Sequence, residues 1–150
     1  MSTSTRFAVS VHVLTAIALQ QGRPVPSDMI ADSTNTHATV IRRILSMLNS
    51  AGITKARLGK GGGALLAKPA SLITLLDIYQ AVERETLFST HRSSPNEKCM
   101  VGRNILPILA VTLNEAQSAL EETLSAVSLE QIATNVIERG KTHGGLFINL

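Results

Sequence analysis

Residues 27 to 68 constrain the fold more than any other stretch. Two short amphipathic segments meet at a polar turn, Thr34-Asn35-Thr36, and the second runs into Gly52. An apolar-basic strand follows, then a glycine tip, Gly59-Lys60-Gly61-Gly62-Gly63, then a return strand closed by Pro69. That order is a helix-turn-helix joined to a β-wing, which sets one helix and one hairpin tip against a duplex. The expected fold class is mainly α: a winged helix-turn-helix with a small two-stranded wing and a long C-terminal dimerisation helix.

Charge follows the same division. Residues 1–68 hold eight Lys/Arg against only Asp28 and Asp32, whereas residues 69–150 hold six Lys/Arg against nine Asp/Glu. The overall +3 therefore hides a basic half carried on a mildly acidic one. A polyanion partner is expected for the first half only. Apolar residues make up 44% and aromatics 3%, which points to an aliphatic, helix-rich core. No run of 18 apolar residues could span a membrane, and the N-terminus lacks the pattern of a secretory signal. The lone Cys99 cannot form an intrachain disulfide, so a cytoplasmic location is expected.

Along the chain, Phe7, Val11, Leu14 and Ala18 share a helical face beside Val9, Val13 and Ile17. This predicts a largely buried helix from about Thr5 to Gln20, with His12 as a core histidine. Ser27 is expected to cap a short second helix. A third, His37 to Ser50, is expected to bury Val40, Ile41, Ile44, Leu45 and Leu48 and to stop at Gly52. Ile53–Leu58 and Ala64–Ala67 read as strands, and Thr74-x-x-Asp77 opens a helix over Leu75–Glu83. Residues 84–98 read as an exposed loop. Beyond them Leu106, Leu109, Leu113, Ala116, Leu120 and Leu124 step by threes and fours, a coiled-coil seam on a helix containing Pro107. Ser128-Leu129-Glu130-Gln131 caps a shorter helix that Gly140 can end, and Lys141–Leu150 reads as a loose tail. The expected organisation is a DNA-binding unit at 1–69, a connecting helix and loop at 70–98, a long dimerisation helix plus a short C-terminal helix at 99–140 and a tail at 141–150.

The exposed side of the third helix offers Thr39, Arg42, Arg43 and Ser46, with His37 at its start. Arginine reads guanine bidentately, and Ser or Thr bind bases or phosphates. Adjacent arginines point about 100° apart, so one is expected to read a base while the other holds phosphate. The wing adds Lys55, Arg57 and Lys60, with Gly61 and Gly62 free to approach a sugar-phosphate backbone. GKGGG is no nucleotide loop, because no Ser or Thr follows a Gly-Lys pair. Neither paired catalytic groups nor metal-ligand spacings occur around His91 or His143, so an enzyme is not expected. Cys99, near Lys98 and Arg103 and close to the start of a helix, is the candidate reactive thiol.

Together, Phe7-Ala8-Val9, Val11-His12-Val13-Leu14, Ile41-Arg42-Arg43-Ile44-Leu45, Ala51-Gly52-Ile53, the wing block Gly59–Ala67 and Ile73–Ile78 resemble the Rrf2 winged-helix regulators. Cys99-x-Val101-Gly102 and Ser128-Leu129 continue the match to about residue 135. The resemblance implies a homodimer swapping or pairing its long helices, binding to a palindromic operator in double-stranded DNA, and a small-molecule, redox or cluster input. Cluster-binding members carry three cysteines where this chain has only Cys99, so no iron–sulfur cofactor is expected. The expected function is a dimeric, thiol-responsive repressor. The alternative is an interaction adaptor that no longer binds DNA and docks a partner on the long helix.

Overall fold

The computed structural model describes residues 4–83 and 86–142. α1 (Arg6–Leu19) buries Val13, Leu14 and Ile17. It is less enclosed than its composition suggests: His12 is exposed, with Nε2 3.0 Å from Ser33 Oγ on α2 (Ser27–Thr34). The imidazole therefore ties two helices together at the surface rather than sitting in the core. Ser27 is the first residue of α2 rather than its cap. Pro26 holds the cap position with no side-chain hydrogen bond. The entry is set instead by the preceding residue, where Val25 exchanges backbone hydrogen bonds of 3.0 and 2.8 Å with Ala64.

Asn35 ends α2 in the left-handed region at φ 48°, which Asn tolerates better than most residues. The Thr36 N–H then donates to the Ala31 carbonyl at 3.0 Å and closes the turn. α3 (Ala38–Ser50) follows directly and locks Ile41, Ile44 and Leu48 into the core. Val40, expected inside, is 44% exposed. It lies one position before Ile41, far enough round the helix to leave the buried stripe.

β1 (Thr54–Arg57) and β2 (Gly63–Leu66) pair antiparallel from Thr54 opposite Leu66 to Arg57 opposite Gly63. A 3-10 turn at Ala70–Leu72 leads to α4 (Leu75–Val82), whose capping box forms as expected. Asp77 N–H donates to Thr74 Oγ1 at 3.1 Å, and Thr74 N–H to Asp77 Oδ2 at 2.9 Å. α5 (Met100–Ser125) runs continuously through Pro107. α6 (Leu129–Thr142) carries on past Gly140, where it was expected to end. Arg84, Glu85 and the tail from His143 lie outside the described residues.

The core does not stop at residue 69. Ile73, Ile78, Val82 and Leu129 are fully buried with Leu14, Ile30, Ile41 and Leu48 in one cluster. Two backbone hydrogen bonds fasten the C-terminal part to it: Leu75 N–H to the Val127 carbonyl at 2.9 Å, and Leu129 N–H to the Ile73 carbonyl at 2.8 Å. α6 packs on α1, and α5 rests on α4.

Candidate nucleic-acid interface

α3 is held beneath by α2, α4 and β1, so its outer face is presented on a firm support. Thr39, Val40, Arg42, Arg43, Ser46 and Asn49 lie exposed on that face. At its start, Thr39 N–H donates to His37 Nδ1 at 3.3 Å, which satisfies one of the orphan amides of the first turn. In the neutral imidazole that bond leaves the proton on Nε2, pointing a donor outward. His37 is thus a cap first, with one donor to spare.

The two arginines have different company. Arg42 Nη2 stands 3.2 Å from Asp28 Oδ1, in the first turn of α2. Arg43 makes no ion pair among the described residues. The sequence placed both on the outer face but did not anticipate the Asp28 pairing, which depends on how α2 and α3 cross.

On the wing, Lys55 and Arg57 alternate with Ala56 along β1, and all three are exposed. Leu58, just outside the ladder, is 90% exposed, an apolar tip flanked by Arg57 and Lys60 that the sequence reading passed over. The glycines serve the hairpin itself. Gly59 and Gly61 take φ of 88° and 74°, where side chains are strained. Gly62 and Gly63 sit where a Cβ would collide with the Arg57 carbonyl and the Val25 backbone, respectively. Gly61 remains open to an approaching surface, whereas Gly62 is filled by the chain's own backbone.

Cys99 occupies the N-cap position of α5 and is exposed. Its Sγ makes no cap hydrogen bond of good geometry, yet the amide dipoles of Gly102 and then Val101 hold its thiol below the ordinary value. The turn before it is tight: Lys98 N–H donates to Asn96 Oδ1 at 2.9 Å and Cys99 N–H to the Asn96 carbonyl at 3.1 Å. Among the described residues no three His, Cys, Asp or Glu side chains stand close enough to hold a metal ion.

α5 has no buried residue along its 26 positions. Within the single chain Leu106, Leu113, Ala116, Leu120 and Leu124 of the expected seam are half-buried, and Leu109 is exposed. The most open apolar residues of the helix lie elsewhere, at Met100, Val101, Ile108 and Val111, each at least 60% exposed.

The profile of the Rrf2 family, described as "Iron-dependent Transcriptional regulator", matches residues 3–135. The chain belongs to the Rrf2 family. It is 38% identical over 134 residues to the "Putative HTH-type transcriptional regulator YwnA" of Bacillus subtilis (strain 168), covering 89% of this chain and 98% of that one. It is also 28% identical to the HTH-type transcriptional regulator IscR of Photorhabdus laumondii, covering 90% and 79% of the two chains. Among solved structures, the cysteine regulator CymR of B. subtilis superposes with a TM-score of 0.65 at 21% identity, covering 90% of this chain and 98% of its own, a likeness of fold. Membership of the family makes this Rrf2 protein a DNA-binding transcriptional regulator. No helix among its described residues is long and apolar enough to cross a membrane.

Proposed function

We propose that this Rrf2 protein is a cytoplasmic homodimeric repressor that reads a palindromic operator through α3 and the wing. The observation that carries the reading is the outer face of α3. It keeps two arginines, two hydroxyl side chains and one apolar side chain in solvent while Ile41, Ile44 and Leu48 anchor the helix beneath. Arg42 and Arg43 supply guanine and phosphate contacts, Thr39 and Ser46 adaptable hydrogen bonds, and Val40 an apolar contact for a thymine methyl. Lys55, Arg57 and Lys60 neutralise phosphates, with Gly61 at the point of approach. Leu58 lies against the sugars or enters the minor groove as an apolar wedge. A second copy covers the open apolar stripe of α5, and two-fold symmetry then dictates a palindromic site.

Cys99 is the input in this reading. Its thiolate attacks a peroxide oxygen, hydroxide or alkoxide leaves, and the sulfenic acid that forms adds a polar group at the start of α5. One thiol per chain, with no cluster of ligating side chains around it among the described residues, is a poor donor set for an iron–sulfur centre.

The test starts from a duplex enriched out of a random pool by the wild-type protein. Arg42→Ala is expected to cost about 1–3 kcal/mol on that duplex and little on a scrambled one. Lys60→Ala is expected to weaken both and to flatten the salt slope by about 0.9. Peroxide is expected to weaken operator binding in the wild type and to leave Cys99→Ser unaffected. If both basic-residue variants bind like wild type, α3 and the wing do not contact DNA in this way.

A further inference from the structure

The geometry points to Asp28 as a positioning residue for Arg42, one that turns a general phosphate binder into a base reader. This rests on the reading of α3 as the helix that contacts DNA. Asp28 and Asp32 are the only acidic residues among the first 68, so a carboxylate beside the contact face runs against the charge of that half. Its place in the first turn of α2 is favoured by the helix dipole. Yet among the described residues the carboxylate accepts no hydrogen bond from the amides of its own helix. Its partner is the Arg42 guanidinium, at 3.2 Å. Both side chains are well exposed, and ion pairs in that setting contribute little to fold stability. The consequence of the pair is therefore directional.

Tying one Nη to a carboxylate removes rotamer freedom from a long side chain before DNA arrives, so less ordering remains to be done on binding. The remaining donors of the planar fork stay available for the two acceptors on a guanine edge. A phosphate approaching Arg42 meets the Asp28 charge as well, which penalises the sequence-independent mode. Exclusion of water at the interface strengthens the pair further. Arg43, one position along, has no such companion among the described residues and suits the phosphate role.

The experiment uses the full chain as Asp28→Asn, which keeps the shape of the side chain and removes its charge. Binding to the enriched duplex and to a scrambled duplex of equal length is titrated across salt. The expected result is tighter binding to the scrambled duplex, a salt slope steeper by about 0.9 and a specificity ratio lowered roughly tenfold. In an Arg42→Ala background the same substitution is expected to leave the ratio unchanged. Equal gains on both duplexes, or the same change of ratio with Arg42 absent, would overturn the inference, because Asp28 would then act as bulk charge alone. A wild-type protein that enriches no sequence would overturn the DNA reading itself, and with it the role given to Asp28.

Discussion

Arg42 and Arg43 are neighbours in the chain and strangers in electrostatics, since one faces Asp28 and the other faces solvent. The sequence made both visible, because the 3.6-residue period of Ile41, Ile44 and Leu48 leaves them on the far side. The pairing was not visible, because it depends on the angle between two helices. Val40 was misplaced for a related reason: an apolar residue at the edge of a stripe carries no mark of which side of the boundary it falls on. Ser10 is another residue whose state sequence could not show. Its Oγ is buried in α1 without a hydrogen-bond partner among the described residues. Ser10→Ala removes that cost and favours the helix, so urea unfolding should show a gain of about 1 kcal/mol. Cys99 gives a test in pH. With the thiol held below its ordinary value, thiolate is present at lower pH than in the unfolded chain. The midpoint of its alkylation rate should lie lower in the native protein than in urea, and coincident midpoints would remove its special reactivity.

Among the elements, local signals were read unevenly: Ser27 and Gly140 do not bound their helices, but the reciprocal box of α4 was legible. Thr74 and Asp77 cap α4 in both directions, as their spacing required. Thr74→Ala should therefore cost about 1 kcal/mol in urea unfolding, with the fold intact. The wing was legible as a hairpin, but the crowding of two of its glycines by the chain's own backbone was not. Close approach of Gly62 to the Arg57 carbonyl and of Gly63 to Val25 is a fact of the folded backbone, and composition alone cannot tell it from an approach by DNA. α5 shows the limit of periodicity. Two apolar sets run along it at helical spacing, one through Leu113 and Leu120 and one through Val101, Ile108 and Val111. The first is half-buried within its own chain and the second is open. Nothing in a repeat of three and four says which set a second helix will cover.

At the scale of the molecule, the open stripe of α5 gives the proposed dimer a sharp test. Ile108 is mostly exposed in the single chain, so Ile108→Asp should leave the fold untouched. The wild-type protein is expected to sediment as a dimer at micromolar concentration and the variant as a folded monomer, because about 25 cal/mol is lost per Å² of apolar surface left uncovered. A wild-type monomer at that concentration would sink the dimer. The pairing of residues 73–75 with 127–129 has a mechanical meaning as well. It pins the C-terminal end of α5 to the core, while Cys99 stands at the opposite end of a helix about 39 Å long. Between those ends α5 is steadied by α4 and by the Leu87 N–H bond to Gln117 Oε1. Its C-terminal half is thus braced like the fixed part of a cantilever, and the N-terminal overhang carries the reactive atom at its free tip.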